Sequence, residues 1–143
     1  MSESEIQANK ELARAIPEAV VANGDIDRLD ELLAESFVEH GPMGDEHGIE
    51  TAKEGWREML GAIPDMTVTV EDVVAEGDTV AMRTMLRGTH EGEIVGIEPT
   101  GKSFEVMSAV FTRIEDGRIA ERWVYPDNLG MFSQLGVVAS PLP

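Results

Sequence analysis

From Met66 to Tyr125 the chain alternates apolar and polar residues with few interruptions, and that pattern commits it to long strands. Met66, Val68 and Val70 alternate with Thr67, Thr69 and Glu71, and the run continues through Val73-Val-Ala75. Glu76-Gly-Asp78 reads as a hairpin turn. After it Val80, Met82, Thr84 and Leu86 take one face, and Ala81, Arg83, Met85 and Arg87 the other, out to His90. Gly92 to Lys102 is a long irregular connection closed by Pro99-Thr-Gly101. Ser103 to Ile114 is a third strand and Glu115-Asp-Gly117 a tight turn. In the return strand, Arg118 to Tyr125, Ile119, Glu121, Trp123 and Tyr125 share one face and Ala120, Arg122 and Val124 the other. Consecutive strands joined by turns this short pair as an antiparallel meander.

The first half of the chain has the helical period instead. Residues 4–22 place Ile6, Leu12, Ile16, Val20 and Val21 mostly on one side, with Asn23-Gly24 as the stop and Pro17 as a break or kink within. Asp25 caps a second helix from Ile26 to Ala34, and a third runs from Ile49 to Ala62 and ends at Pro64-Asp65. Ser36 to His40 is short and extended, and Gly41-Pro-Met-Gly44 a loop. Helices first and strands second give an α+β fold. Three helices over one face of a strongly bent sheet leave a conical cavity between the layers. With 143 residues the chain forms one domain over 1–143, in which 137–143 are expected to be a loose tail.

Charge narrows the partners. Twenty-eight acids against 11 Lys and Arg give −17, and the acids are dispersed rather than gathered. Such a surface repels nucleic acid and anionic membranes. It suits a cytoplasmic, salt-adapted (halophilic) protein kept hydrated by carboxylates. No apolar run approaches the ~18 residues of a membrane span, and Met1-Ser-Glu-Ser-Glu5 lacks the basic and apolar regions of a secretion signal. Without cysteine there is neither disulfide nor thiolate chemistry. No metal site is expected, because His40, His47 and His90 lack close ligand spacing. No cofactor is expected either, because no glycine-rich phosphate loop precedes a helix.

The candidate chemistry concentrates after the last strand. Pro126 stops the ladder, Asp127 and Asn128 are helix N-cap types, and Leu129, Met131, Phe132 and Leu135 follow at helical spacing. Asp127 therefore sits beside Trp123, Tyr125, Leu129 and Phe132. An apolar wall there would raise its pKa toward neutrality and suit it to general acid/base work. It is equally placed to cap the helix, a role that would keep it ionised, unless Asn128 takes the cap. His90, ending its strand, could donate to an enolate oxygen or serve as a turn histidine. His40 ends an extended piece at the expected mouth of the cavity, and His47 lies in a polar loop. Arg83 either faces the cavity or pairs with Glu105 or Glu121. Trp56, Met59 and Leu60 form core or cavity wall.

Several strings, in order over nearly the whole chain, resemble the SnoaL-like polyketide cyclases and ester cyclases of the nuclear-transport-factor-2-like (NTF2-like) superfamily. They are Phe37-Val-Glu-His-Gly-Pro42, Ile63-Pro-Asp-Met66, Glu76-Gly-Asp-Thr-Val80 and Arg87-Gly-Thr-His-Glu-Gly-Glu93. Gly96-Ile-Glu-Pro-Thr-Gly-Lys102, Ile114-Glu-Asp-Gly-Arg-Ile119 and Asp127-Asn-Leu-Gly-Met-Phe-Ser-Gln-Leu-Gly136 complete the set. The resemblance implies a curved sheet wrapped by three helices, a deep apolar pocket for a small apolar ligand, and a homodimer or homotetramer built on the sheets. It also implies metal-free aldol-type cyclisation with an aspartate at the end of the last strand, matched by Asp127, and a histidine matched by His90. Two functions follow as expectations. One is a cofactor-independent acid/base cyclase, isomerase or dehydratase of an apolar carbonyl compound, with Asp127 and His90 catalytic and His40, Arg83, Trp56, Trp123 and Tyr125 binding substrate. The other is a non-catalytic protein that holds a small hydrophobic metabolite.

Overall fold

The computed structural model describes residues 1–139. Helix α1 (Glu3–Ala15) opens on a capping box in which Ser2 Oγ accepts from Glu5 N at 3.2 Å while Glu5 reaches back to Ser2 N. Pro17 acts as expected of a residue without a backbone donor. The chain widens there into a π-helical turn, Ile16–Val21, that buries Ile16, Pro17, Val20 and Val21. A 3₁₀ turn (Ile26–Arg28) leads into the short α2 (Leu29–Leu32), which ends two residues earlier than the periodicity predicts. Leu33 is already extended and pairs with Ile119, so sheet hydrogen bonding takes over from the helix. Strand β1 (Leu33–Gly41) turns at Gly44, whose φ of 111° favours glycine, into β2 (Gly44–His47), a hairpin where the sequence suggests only a loop. Helix α3 (Ile49–Ala62) is pinned to α2 by the buried Lys53, which reaches Asp27 and Asp30, both at 3.1 Å.

Four long strands follow as predicted: β3 (Thr67–Glu76), β4 (Thr79–Thr89), β5 (Ser103–Glu115) and β6 (Arg118–Pro126), and the chain then enters α4 (Asn128–Leu135). All six strands form one curved sheet in the order β2-β1-β6-β5-β4-β3. The meander is antiparallel, but β1 joins β6 in parallel, which makes the sheet mixed and brings the first half of the chain against the last strand. The helices pack on one face: α1 on β3 and β4, α2 and α3 toward β1 and β6, and α4 on β5. Gly88 permits the closest approach between layers, because a Cβ there would stand 2.2 Å from Ile63 Cγ2.

Three buried clusters share the interface between helices and sheet. Ile16, Val20, Leu29, Leu33, Phe37, Ile114 and Ile119 close one end, and Ala62, Ile63, Phe104, Val106, Met131 and Leu135 the other. Ala13, Val80, Met82 and Val110 lie between α1 and the strands. Val137, the first residue of the expected tail, packs against the second of these clusters, and residues 140–143 of that tail lie outside the described residues. No described helix is long and apolar enough to cross a membrane.

Candidate active site

Helices and sheet do not meet everywhere. Between them lies a cavity of about 320 Å³, walled by Leu33, Phe37, Trp56, Met59, Ile63, Met82, Leu86, Phe104 and Val110, among others. That volume falls within the range of small-molecule sites. The exposed Met43 and Val95 mark its open end. Trp56 lines it, as the sequence suggests. Its polar equipment is sparse: Glu39, Glu46, Thr84, Ser108, Arg122 and Asn128. Thr84 spends its hydroxyl on Ser108 O at 3.3 Å.

The charged members come from neighbouring strands at matched positions. Glu46 on β2 stands opposite Glu39 on β1, and Glu39 opposite Arg122 on β6. Arg122 is 5% exposed, and its Nη1 donates to Glu39 Oε1 at 2.5 Å. Glu46 is exposed at the mouth of the cavity, yet partial desolvation by the wall it lines, with the nearby carboxylates Glu39 and Glu58, raises its carboxyl above the ordinary value.

The residues singled out from sequence are distributed differently. Asp127 is exposed and caps α4: its Oδ1 accepts from Gly130 N at 2.8 Å, and its side chain does not line the cavity, although Pro126 and Asn128 on either side do. His90 is fully buried beside the loop that follows β4. Thr100 N donates to its Nδ1 at 3.2 Å, which puts the ring proton of the neutral form on Nε2, an atom with no partner among the described residues. His90 therefore anchors the 90–102 loop, helped by backbone bonds to Gly101 and Lys102, and contributes nothing to the cavity wall.

His40, Arg83, Trp123 and Tyr125 lie on the opposite face of the sheet. His40 stacks on Trp123 with ring centroids 5.3 Å apart and bonds Asp45 at 2.7 Å and Glu121 at 2.5 Å. Those two carboxylates, Glu121 foremost, raise the His40 pKa. Arg83 pairs with Asp72 at 2.6 Å, rather than with Glu105 or Glu121, because Asp72 is its register partner across β3 and β4.

A β-bulge accounts for the exchange of faces. Ile114 pairs with Ile119 but Arg113 pairs with Glu121, so Ala120 is the extra residue in β6. Ile119 faces the helices, and beyond the bulge Arg122 and Val124 do so, while Glu121, Trp123 and Tyr125 turn outward. Counting by twos from Ile119 therefore places the aromatic residues inside and misses Arg122. The available signal was the burial of both Ile119 and Ala120, two apolar neighbours that a regular strand cannot place on one face.

The family model for SnoaL-like polyketide cyclases matches residues 10–135. The nogalonic acid methyl ester cyclase of Streptomyces nogalater is 31% identical over 118 residues, covering 79% of this chain and 87% of that protein. Among solved structures, wild-type IdmH from Streptomyces antibioticus is 39% identical with a TM-score of 0.77, covering 90% of this chain and 99% of the other. TsrD from Streptomyces laurentii is 30% identical with a TM-score of 0.80, covering 96% and 99%.

Proposed function

Since the chain belongs to the SnoaL-like polyketide cyclase family, we propose that it is a cofactor-independent acid/base enzyme that cyclises, isomerises or dehydrates an apolar carbonyl compound. The observation that carries this reading is the cavity of about 320 Å³: apolar on nearly all sides, with a few polar groups converging from β1, β2 and β6. An apolar substrate buries itself there at a gain of roughly 25 cal/mol per Å². The sparse polar groups are then left to act on its oxygen atoms, in surroundings where charge is felt more strongly than in water.

A second reading has a specific observation behind it. The carboxylate nominated by the family pattern, Asp127, is engaged with Gly130 N and lies outside the cavity wall, as a protein that only binds its ligand would tolerate. One experiment separates the two. The protein is incubated with apolar ketones and keto esters, with melting temperature read for binding and product mass and α-deuterium content for chemistry. The enzyme reading expects compounds that both stabilise the fold and are converted. Compounds that stabilise the fold and emerge unchanged would establish the binding protein.

The assembly belongs to the same reading. The outer face of the sheet exposes Met107 at 56%, Phe111 at 42% and Tyr125 at 60%, around an edge-on Phe111–Tyr125 contact at 6.3 Å. An apolar face of this kind is expected to be covered by a second copy, giving a homodimer. The dispersed charge of −17 supports a cytoplasmic, salt-adapted protein.

A further inference from the structure

The register of the sheet draws one polar row across its inner face: Glu46 on β2, Glu39 on β1 and Arg122 on β6, which line the cavity, and Thr112 on β5, which does not. On its two sides along the inner face lie Ile114 and Ile119, then Val110 and Val124, so the row is a polar seam in an apolar wall. Arg122 carries five N–H donors, and only Nη1 has a protein acceptor among the described residues. Burying a guanidinium so incompletely satisfied is unfavourable, and Arg122 forms part of the cavity wall. Thr112 Oγ1, next in the row, is also buried with no partner among the described residues. The two lining carboxylates are not equivalent. Glu39 is bound to Arg122, while Glu46 has no hydrogen-bond partner among the described residues and extends over α3, where Gly55 leaves room for it. A Cβ on Gly55 would lie 3.7 Å from Glu46 Oε2.

From this geometry we infer that Glu46 is the proton acceptor of the cavity and Arg122 the group that holds the substrate oxygen, with Glu39 positioning Arg122, so that the substrate is an enolisable apolar ketone or keto ester. The inference rests on the acid/base reading above and assigns its groups. Glu46 takes a proton from the carbon beside a carbonyl. The C–H electron pair becomes the enolate π bond, and the negative charge comes to rest on the oxygen facing the spare donors of Arg122. When that carbon attacks a second carbonyl of the same molecule, a C–C bond forms and the acceptor oxygen becomes an alkoxide. Glu46 then returns its proton to that oxygen, and no atom or electron is left over. A carboxyl raised by partial desolvation and by Glu39 and Glu58 is better matched to both transfers than an ordinary one.

The test uses the full chain and 2-tetralone, a bicyclic apolar ketone, in deuterium oxide, with α-deuterium uptake followed by mass spectrometry. Wild type is expected to accelerate exchange, and its rate to rise with pH as Glu46 loses its proton, at a pH above that of an ordinary glutamate. Glu46→Gln should lose the enzyme-dependent rate by roughly 100-fold or more. Glu46→Asp should keep part of the rate and move the pH limb, a change that a merely structural role would not produce. Arg122→Lys keeps the charge opposite Glu39 but loses the planar fork, and should raise KM and lower kcat while the protein stays folded. Exchange at the wild-type rate in Glu46→Gln would overturn the inference. So would exchange lost in Asp127→Asn and kept in Glu46→Gln, a result that leaves the acid/base reading standing. No exchange by wild type with 2-tetralone demonstrably bound would remove that reading as well, and the inference with it.

Discussion

Two adjacent rungs of the same sheet, one residue apart on every strand, have opposite characters. Inside, Glu46, Glu39, Arg122 and Thr112 form a row in which the arginine is buried and its partner is 2.5 Å away. Outside, Asp45, His40, Trp123 and Phe111 form the next row, where His40 bridges two carboxylates beside an exposed aromatic patch. Both rows hold acids and a base, so composition does not separate them. Burial of the base does: the Arg122 side chain is 6% exposed under the helices, and that of His40 30% on the open face. A charge pair on the covered face becomes part of the cavity wall, and a similar pair on the open face ties neighbouring strands beside solvent.

The sharpest way to break this contrast is to remove one arginine from each face. Arg122→Met leaves Glu39 uncompensated against an apolar wall and should cost about 3–5 kcal/mol in urea unfolding. Arg83→Met removes the Asp72 partner where both side chains are more than half exposed, and should cost no more than about 1 kcal/mol. The double variant Arg122→Met with Glu39→Leu, which removes both buried charges, should recover much of the loss. Equal costs for the two single variants would mean that the faces do not differ in the way described.

The contrast also shows what could be read from the chain. The alternation in β4 predicts its faces correctly, because Val80, Met82 and Thr84 are buried and Arg83 is exposed, whereas β3 shifts register between Val70 and Asp72. The α+β class and the position of α3 follow from periodicity alone. The β2 hairpin escaped because Gly-Asp-Glu-His carries no apolar residue, and with it went Glu46. Arg122 escaped because one bulged residue, Ala120, shifts every side chain beyond it to the other face. The parallel pairing of β1 with β6 brings Glu39 to Arg122 across 83 residues of sequence, a distance over which no local pattern carries information.

A smaller effect is expected from the open face. In Phe111→Glu a carboxylate would stand among Tyr125, Trp123 and Met107, and burying it against a second copy would be unfavourable. Light scattering should then give a monomer where wild type gives a dimer, with the cavity's ligand binding intact. A dimer that persists in Phe111→Glu would place the subunit contact elsewhere and leave the outer face merely exposed.

The smallest effect belongs to His40, whose ties to Asp45 and Glu121 lie on the open face, where salt screens them. Its bonds to Glu121 and Asp45 raise its folded pKa above the reference 6.5, while the same bond to His40 leads in lowering the Glu121 carboxyl below its 4.5. The signs follow from linkage. A histidine that holds its proton more tightly when folded contributes stability that is fully present below its unfolded pKa and is lost as pH rises through the folded one. Glu121 contributes stability that is present above its unfolded pKa and lost as pH falls through its lowered value. The cluster therefore supports the fold best between these reference values and loses that support on either side of them. In wild type the melting temperature should decline as pH climbs beyond about 6.5, and His40→Gln should flatten that part of the curve. The inner row holds no histidine, so Arg122→Lys should leave the same limb in place. A limb that survives in His40→Gln would have to be ascribed to a group other than His40.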